Sequence, residues 1–171
     1  MSHIKGFTLI ELLVVISIIA LLSSIGVASL NTTRAKARDT KRRADITAIR
    51  TAMQLYYDKY ATYQIPGTGY LNGGTGWFTC AAGSYTNSAA NVLATEGFLS
   101  PGIKDPKADP CGAGFATGNS PYMIYACTAG FSTGATLWAS LENPTATDIA
   151  QANALCGASP GYGMNYGVEA R

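Results

Sequence analysis

The feature that most constrains this chain is the run from Phe7 to Leu30, FTLIELLVVISIIALLSSIGVASL, 24 residues with a single charge, Glu11. As a helix rising about 1.5 Å per residue it is roughly 36 Å long, enough to cross a hydrocarbon core of about 30 Å with some tilt. A secretory h-region usually runs only about 7–15 residues, and a soluble helix alternates polar and apolar faces. The run therefore reads as a transmembrane helix. At a helix centre a carboxylate costs about 2.5–3.5 kcal/mol on insertion scales; near the N-terminus the cost falls and the charge suits the helix dipole.

The helical pattern continues past the apolar run. From Ala35 to Tyr60 there is no Gly or Pro, and Ile46, Ile49, Met53, Tyr56 and Tyr60 recur at spacings of three and four, with Ala44, Ala48, Ala52 and Leu55 expected to widen the stripe. Arg34, Lys36, Arg38, Lys41, Arg42, Arg43 and Arg50 are expected on the polar face. Ser23-Ser24, Gly26 and Asn31-Thr32-Thr33 mark a place where the helix is expected to bend or loosen. After Pro66 the composition turns to Gly, Ser, Thr, Asn and aromatics. Residues 67–86 read as a loop, 87–96 as a short helix, and 105–118 as a second loop. Residues 122–127 and 135–141 read as an antiparallel hairpin around a turn at 128–134. Asn143-Pro144 reads as the cap and first position of a helix, and 161–168 as a last short strand. Trp77, Phe78, Tyr85, Trp138 and Tyr162 are read as core filling, with a carbohydrate or adhesion patch as the alternative.

Charge is uneven although the formal total is only +2. Residues 1–50 carry an excess of Lys and Arg, and the remainder is mildly acidic. With one histidine, His3, a site built from several imidazoles is excluded, and with it most zinc enzymes and serine hydrolases. No glycine loop with a lysine suits phosphates, and no nucleophile has a credible base, so the chain is read as not an enzyme. Cys80, Cys111, Cys127 and Cys156 are even in number and contain no CxxC pair, which suits two disulfides in an oxidising compartment better than zinc. The alternative is four reduced core thiols. Asn31-Thr32-Thr33 fits the N-glycosylation pattern but is read as an accidental match.

A short basic leader, then Gly6-Phe7-Thr8-Leu9-Ile10-Glu11 and a spanning apolar run, resembles the N-terminal signature of type IV pilins and the pseudopilins of type II secretion. Strong resemblance covers about Lys5 to Tyr60. It implies cleavage between Gly6 and Phe7 by a prepilin peptidase, N-methylation of Phe7, and pairing of Glu11 with the new N-terminus of a neighbouring subunit during assembly. It departs from many pilins at Ala28, where a proline often loosens the helix; Gly26 is the candidate substitute. Gly97-Phe98-Leu99, Lys104-Asp105-Pro106 and Asp109-Pro110 are similar, more loosely, to the sheet region of pseudopilins and minimal pilins.

The expected architecture is thus α+β and pilin-like: a long N-terminal helix packed against a small antiparallel sheet in a loop-rich C-terminal domain. The expected divisions are a removed leader over 1–6, a transmembrane and assembly helix over 7–30, its amphipathic continuation over 31–65, and a head domain over 66–171. The Lys and Arg cluster at 34–43 would by itself pull the C-terminal side into the cytoplasm. The cysteines and the resemblance place the domain outside, and that orientation is adopted. Three cysteine pairings are open; Cys80–Cys111 with Cys127–Cys156 is favoured, the second tying a strand to the last helix.

The expected function is that of a structural subunit of a type IV pilus-like surface filament. The alternatives are a type II secretion pseudopilin and, from another class, a single-pass membrane-anchored binding module that does not polymerise. Implied partners are further copies of the chain, the peptidase, an inner-membrane assembly platform and, before assembly, the membrane. Arg34, Lys36, Arg38, Lys41, Arg42 and Arg43 are candidate contacts for lipid headgroups, neighbouring subunits or DNA phosphate. No cofactor is expected. Asp105 and Asp109 are calcium candidates, but two carboxylates are few for an ion that takes six to eight oxygens, and solvated turn aspartates are the preferred reading.

Overall fold

The computed structural model describes residues 6–66, 75–80, 85–108, 111, 118, 120–127, 130–156 and 161–171, with side chains described outside 24–28, 75 and 130–133. Its elements are α1 (Leu9–Tyr60), β1 (Thr75–Trp77), α2 (Ala89–Thr95), β2 (Met123–Cys127), β3 (Gly130–Ala139), α3 (Ala146–Asn153) and β4 (Tyr166–Ala170). Two compact units divide the chain, Met1–Lys36 and Ala37–Arg171. The expected loosening does not break α1, which is helical throughout its 52 residues.

In the first unit the described large apolar side chains face outward, from Phe7 (79% exposed) through Leu9, Ile10, Leu13 and Ile16 to Leu22 (64%). Among the described residues no helix is long and apolar enough to cross a membrane. The span expected over Phe7–Leu30 rests on its sequence.

In the second unit α1 packs on a four-stranded antiparallel sheet in the order β1-β2-β3-β4. The fold is α+β with a long N-terminal helix, as expected. Ile46, Ile49, Ala52, Met53 and Tyr56 are buried against Ile124, Ala135, Leu137, Ala139 and Ala170 of the sheet, with Phe78, Leu93 and Tyr122 completing the core. Each large apolar side chain so buried contributes about 1.5–3 kcal/mol. Ala44, Ala48 and Leu55, expected to widen this stripe, are exposed; the stripe instead runs N-terminally through two ionic residues, Arg42 and Asp39, both buried. Positions 39, 42, 46, 49, 53 and 56 keep one unbroken three-four spacing, so the buried face is simply longer than its apolar part.

The second face of the sheet carries Trp138, Met123 and half-buried Trp77 and Tyr125, covered in part by Ala152, Leu155 and Met164. This cover depends on Gly167, where a Cβ would come within 2.5 Å of Leu155 Cδ1 and 3.0 Å of Trp138 Cε3. Of the five aromatics read as core filling, Phe78 and Trp138 are fully buried and Trp77 and Tyr85 half-buried, whereas Tyr162 is 49% exposed.

Several element boundaries differ from expectation for local reasons. β1 falls in the stretch read as loop, because three residues are too few to show alternation. β3 begins at Gly130 rather than Ala135; the pairing jumps from Ala126↔Ala135 to Cys127↔Gly130 across an irregularity that the period-two pattern does not reveal. α3 is capped by Thr145 rather than Asn143, since Thr145 and Asp148 form a reciprocal capping box. β4 starts at Tyr166 rather than 161, because Gly161, Tyr162 and Gly163 have φ of +72°, +53° and +71°, a left-handed turn that no strand adopts.

Candidate functional site

The first candidate is the start of α1. Gly6 and Phe7 precede the helix in exposed backbone, and a Cβ built on Gly6 meets nothing within 4 Å. Helical bonding opens when Leu12 N–H donates to the Thr8 carbonyl (3.3 Å). Thr8 donates to Glu11 Oε2 from its backbone N–H (2.8 Å) and its hydroxyl (2.6 Å), and Glu11 N–H donates back to Thr8 Oγ1 (3.3 Å). This is a capping box: each side chain satisfies a backbone donor that the first turn leaves without a partner. Thr8 was missed as a functional residue, although Thr8-x-x-Glu11 before an apolar run is the readable signal. Glu11 Oε1 accepts no hydrogen bond among the described residues, so the carboxylate keeps an oxygen for a cation while its other oxygen fixes its direction.

The second candidate is the basic stripe, and here the structure corrects the expectation. Arg42 is fully buried and cannot touch DNA or a headgroup. Its guanidinium forks onto both oxygens of Asp105 (Nε 2.7 Å, Nη2 3.1 Å), donates from Nη1 to Asp39 (2.9 Å) and Glu142 (3.2 Å), and from Nη2 to the Gly118 carbonyl (3.0 Å). Arg38 is bidentate to Glu142 (2.6 and 2.9 Å), Lys41 bonds Asp45 (2.5 Å), and Arg43 bonds Asp148 (2.7 Å). Arg34 and Lys36 are the exposed members of the set toward its N-terminal end. Neutralisation within α1 is limited to Asp39 and Asp45. The other partners, Asp105, Glu142 and Asp148, come from loops and α3, 63 to 105 residues away in sequence, which no helical-wheel reading supplies.

The network is electrostatically closed. Burial works against the Arg42 charge, but the bonds to Asp105, then Asp39 and Glu142, outweigh it and hold the guanidinium above its ordinary pKa. The hydrogen bonds from Arg38 push the Glu142 carboxyl down to about 2, with Arg42 adding to the effect against the opposing burial. Asp39 also accepts from the backbone N–H groups of Glu142 (2.9 Å) and Asn143 (2.8 Å), so one α1 side chain fixes the loop entering α3.

Asp105 is therefore not the solvated turn residue that was expected. It is buried, both oxygens face Arg42, and Oδ1 also takes the N–H groups of Lys107 and Ala108 (2.8 Å each). A cation there would meet a guanidinium. Asp109 lies outside the described residues. Among them, no three His, Cys, Asp or Glu side chains form a group suited to a metal ion.

All four cysteines are oxidised. Cys80 is joined to Cys111 and Cys127 to Cys156, with Cα separations of 5.3 and 5.0 Å. These are the favoured pairs, and the second anchors the end of β2 to the segment leaving α3.

Comparison with known proteins bears on the first candidate. Residues 1–27 match the family described as the prokaryotic N-terminal methylation motif, the signature of type IV pilins and pseudopilins. No match was found among curated proteins or among solved structures.

Proposed function

We propose that the chain is the precursor of a structural subunit of a type IV pilus-like filament, cleaved between Gly6 and Phe7, methylated on Phe7 and assembled through its N-terminal helix. The observation that carries this reading is the start of α1. An accessible Gly6-Phe7 junction is followed at once by a capped Glu11 and by a helix whose apolar side chains are directed outward. Outward Leu and Ile side chains need a non-aqueous partner. In the precursor that partner is the bilayer, with the Phe7–Leu30 run spanning it and the second unit outside the cytoplasm. In the filament it is the same face of other copies. Lipid and a helical bundle are similarly apolar, so the transfer needs little free energy, and polar groups then decide which neighbours fit.

Glu11 supplies that choice. Cleavage leaves a positively charged amine on Phe7, and in an apolar surrounding a carboxylate and an ammonium that meet are far better off than either alone. The Thr8 bonds point the carboxylate while leaving Oε1 available. The role is structural rather than catalytic, and it needs no cofactor from this chain. The partners are other copies, a prepilin peptidase and an inner-membrane assembly platform. Arg38, Lys41, Arg42 and Arg43 are committed to carboxylates, which leaves the stripe poorly suited to DNA phosphate.

Two measurements test the proposal. Mass spectrometry of the N-terminus is expected to find methylated Phe7, and an intact Met1 end would refute processing. Glu11→Ala is expected to leave membrane insertion unchanged and to abolish filaments in electron micrographs of sheared surface material. Normal filaments from that variant overturn the pairing mechanism.

A further inference from the structure

The second face of the sheet presents a different surface from anything used in assembly. We infer that its open half is a binding platform for an uncharged carbohydrate, with the rings of Trp77 and Tyr162 as the stacking surfaces. α3 and the segment after it cover the β3 and β4 side of this face, where Leu155 lies against Gly167 and Trp138. On the β1 and β2 side Trp77 and Tyr125 are only half-buried, and Tyr162 stands beside them 49% exposed. The Trp77 and Tyr162 ring centroids are 5.8 Å apart at 64°, an edge-to-face pair whose two ring planes form an angled wall.

The backbone beneath Tyr162 is built to hold that ring out. Gly161, Tyr162 and Gly163 form three consecutive left-handed residues, a conformation that a residue with a bulky side chain rarely adopts. Asn would make the same turn with less strain, so the turn alone does not explain an aromatic ring here. The turn is pinned from below: Ser120 Oγ donates to the Tyr162 carbonyl (2.7 Å), Ser140 Oγ donates to the Gly163 carbonyl (2.7 Å), and Met164 N–H donates to the Gly161 carbonyl (3.0 Å). Strain maintained by surrounding bonds, with a large ring displayed at the surface, is the pattern of a positioned contact residue.

The charge pattern selects the ligand. Residues 60–95, 110–141 and 149–168 contain no Asp, Glu, Lys, Arg or His, and these three runs hold β1, β2, β3 and the Tyr162 turn. Glu169, the one charged residue in a strand, is on β4, where its carboxylate is engaged by Cys156 N–H (2.7 Å) and by Arg171 (2.9 Å). Strands β1, β2 and β3 and the Tyr162 turn thus supply no counter-charge of their own to phosphate, sulfate or cationic groups. Partly exposed aromatic rings without a counter-charge on the same strands suit a pyranose, whose C–H face stacks on a ring.

The test uses the full chain in a zwitterionic detergent, which carries no sugar headgroup, titrated with cellotriose, maltotriose and chitotriose, with sialyllactose as a charged control. Trp77 and Trp138 are the two tryptophans, and Trp138 is fully buried, so a saturable change in tryptophan emission reports on Trp77. At least one neutral trisaccharide is expected to saturate, and sialyllactose is not. Tyr162→Ala is expected to weaken binding about three- to tenfold, the range an aromatic contact contributes, while Tyr162→Phe keeps it. Trp77→Ala removes the reporter and is therefore titrated by calorimetry, where it is expected to abolish binding; should it fail to fold, Tyr162→Ala with an unchanged melting temperature decides. The inference is overturned if no neutral sugar saturates, or if Tyr162→Ala binds as the parent does. It is equally overturned if that variant abolishes self-association in sedimentation while sugars have no effect, which would make the face a contact between copies.

Discussion

The two units of this chain place their side chains in opposite ways. The described side chains of the first unit turn Leu, Ile and Val outward, with Leu9 at 78% exposure, whereas the second unit buries an arginine with no exposure at all. One helix contributes to both. The contrast teaches that exposure here follows the intended surroundings rather than hydrophobicity: the first unit is suited to an apolar medium, and the second holds its ions in a closed internal set. The strongest way to break the contrast is to remove its buried cation. Arg42→Leu leaves Asp39 and Asp105 buried without their counter-charge and is expected to destabilise the second unit by about 3–5 kcal/mol, measured by thermal unfolding of the full chain in detergent. Arg42→Lys is expected to recover only part, because a point ammonium cannot span Asp105, Asp39 and the Gly118 carbonyl together.

Smaller effects sharpen the same comparison. Replacing Cys127 and Cys156 together by Ser is expected to lower stability by about 2–4 kcal/mol in the same unfolding experiment, because the bond closes a loop of sequence separation 29. Acid acts on the ionic set more gradually. The Glu142 carboxyl lies at about 2 in the folded chain against an ordinary 4.5, so its contribution is present above pH about 4.5 and is lost as pH falls toward 2. The melting temperature is expected to fall across that window, and Arg38→Ala, which raises the folded-state value, to make the fall smaller and complete at a higher pH. The smallest effect belongs to the first unit: Leu13→Ser, at a 55% exposed position, is expected to change monomer stability by less than about 0.5 kcal/mol while reducing filament yield.

What could be read from the sequence follows the range over which each interaction acts. The helix, the strand pair around Ile124 and Leu137, and the processing signature depend on neighbours a few residues apart, and all were visible. The Thr8–Glu11 and Thr145–Asp148 boxes were equally local and could have been found by asking which Ser or Thr precedes an acidic residue by three. Arg42 was different. Its charge argued for solvent, and its partners Asp105 and Glu142 are distant in sequence, so only the continued three-four spacing through Asp39 and Arg42 pointed inward. The irregular pairing at Cys127 and the left-handed turn at Tyr162 have no periodic signature at all.

The disulfides have a consequence for how the second unit matures. The first closes residues 80–111 and the second 127–156, so the two loops follow one another along the chain and neither encloses nor crosses the other. Neither loop has to be threaded through the other, and each pair can oxidise as soon as its own segment is in place. The order of oxidation is thus free. A chain that emerges in sequence order can lock Cys80 to Cys111 before its last sixteen residues, Cys156 first among them, have arrived at all.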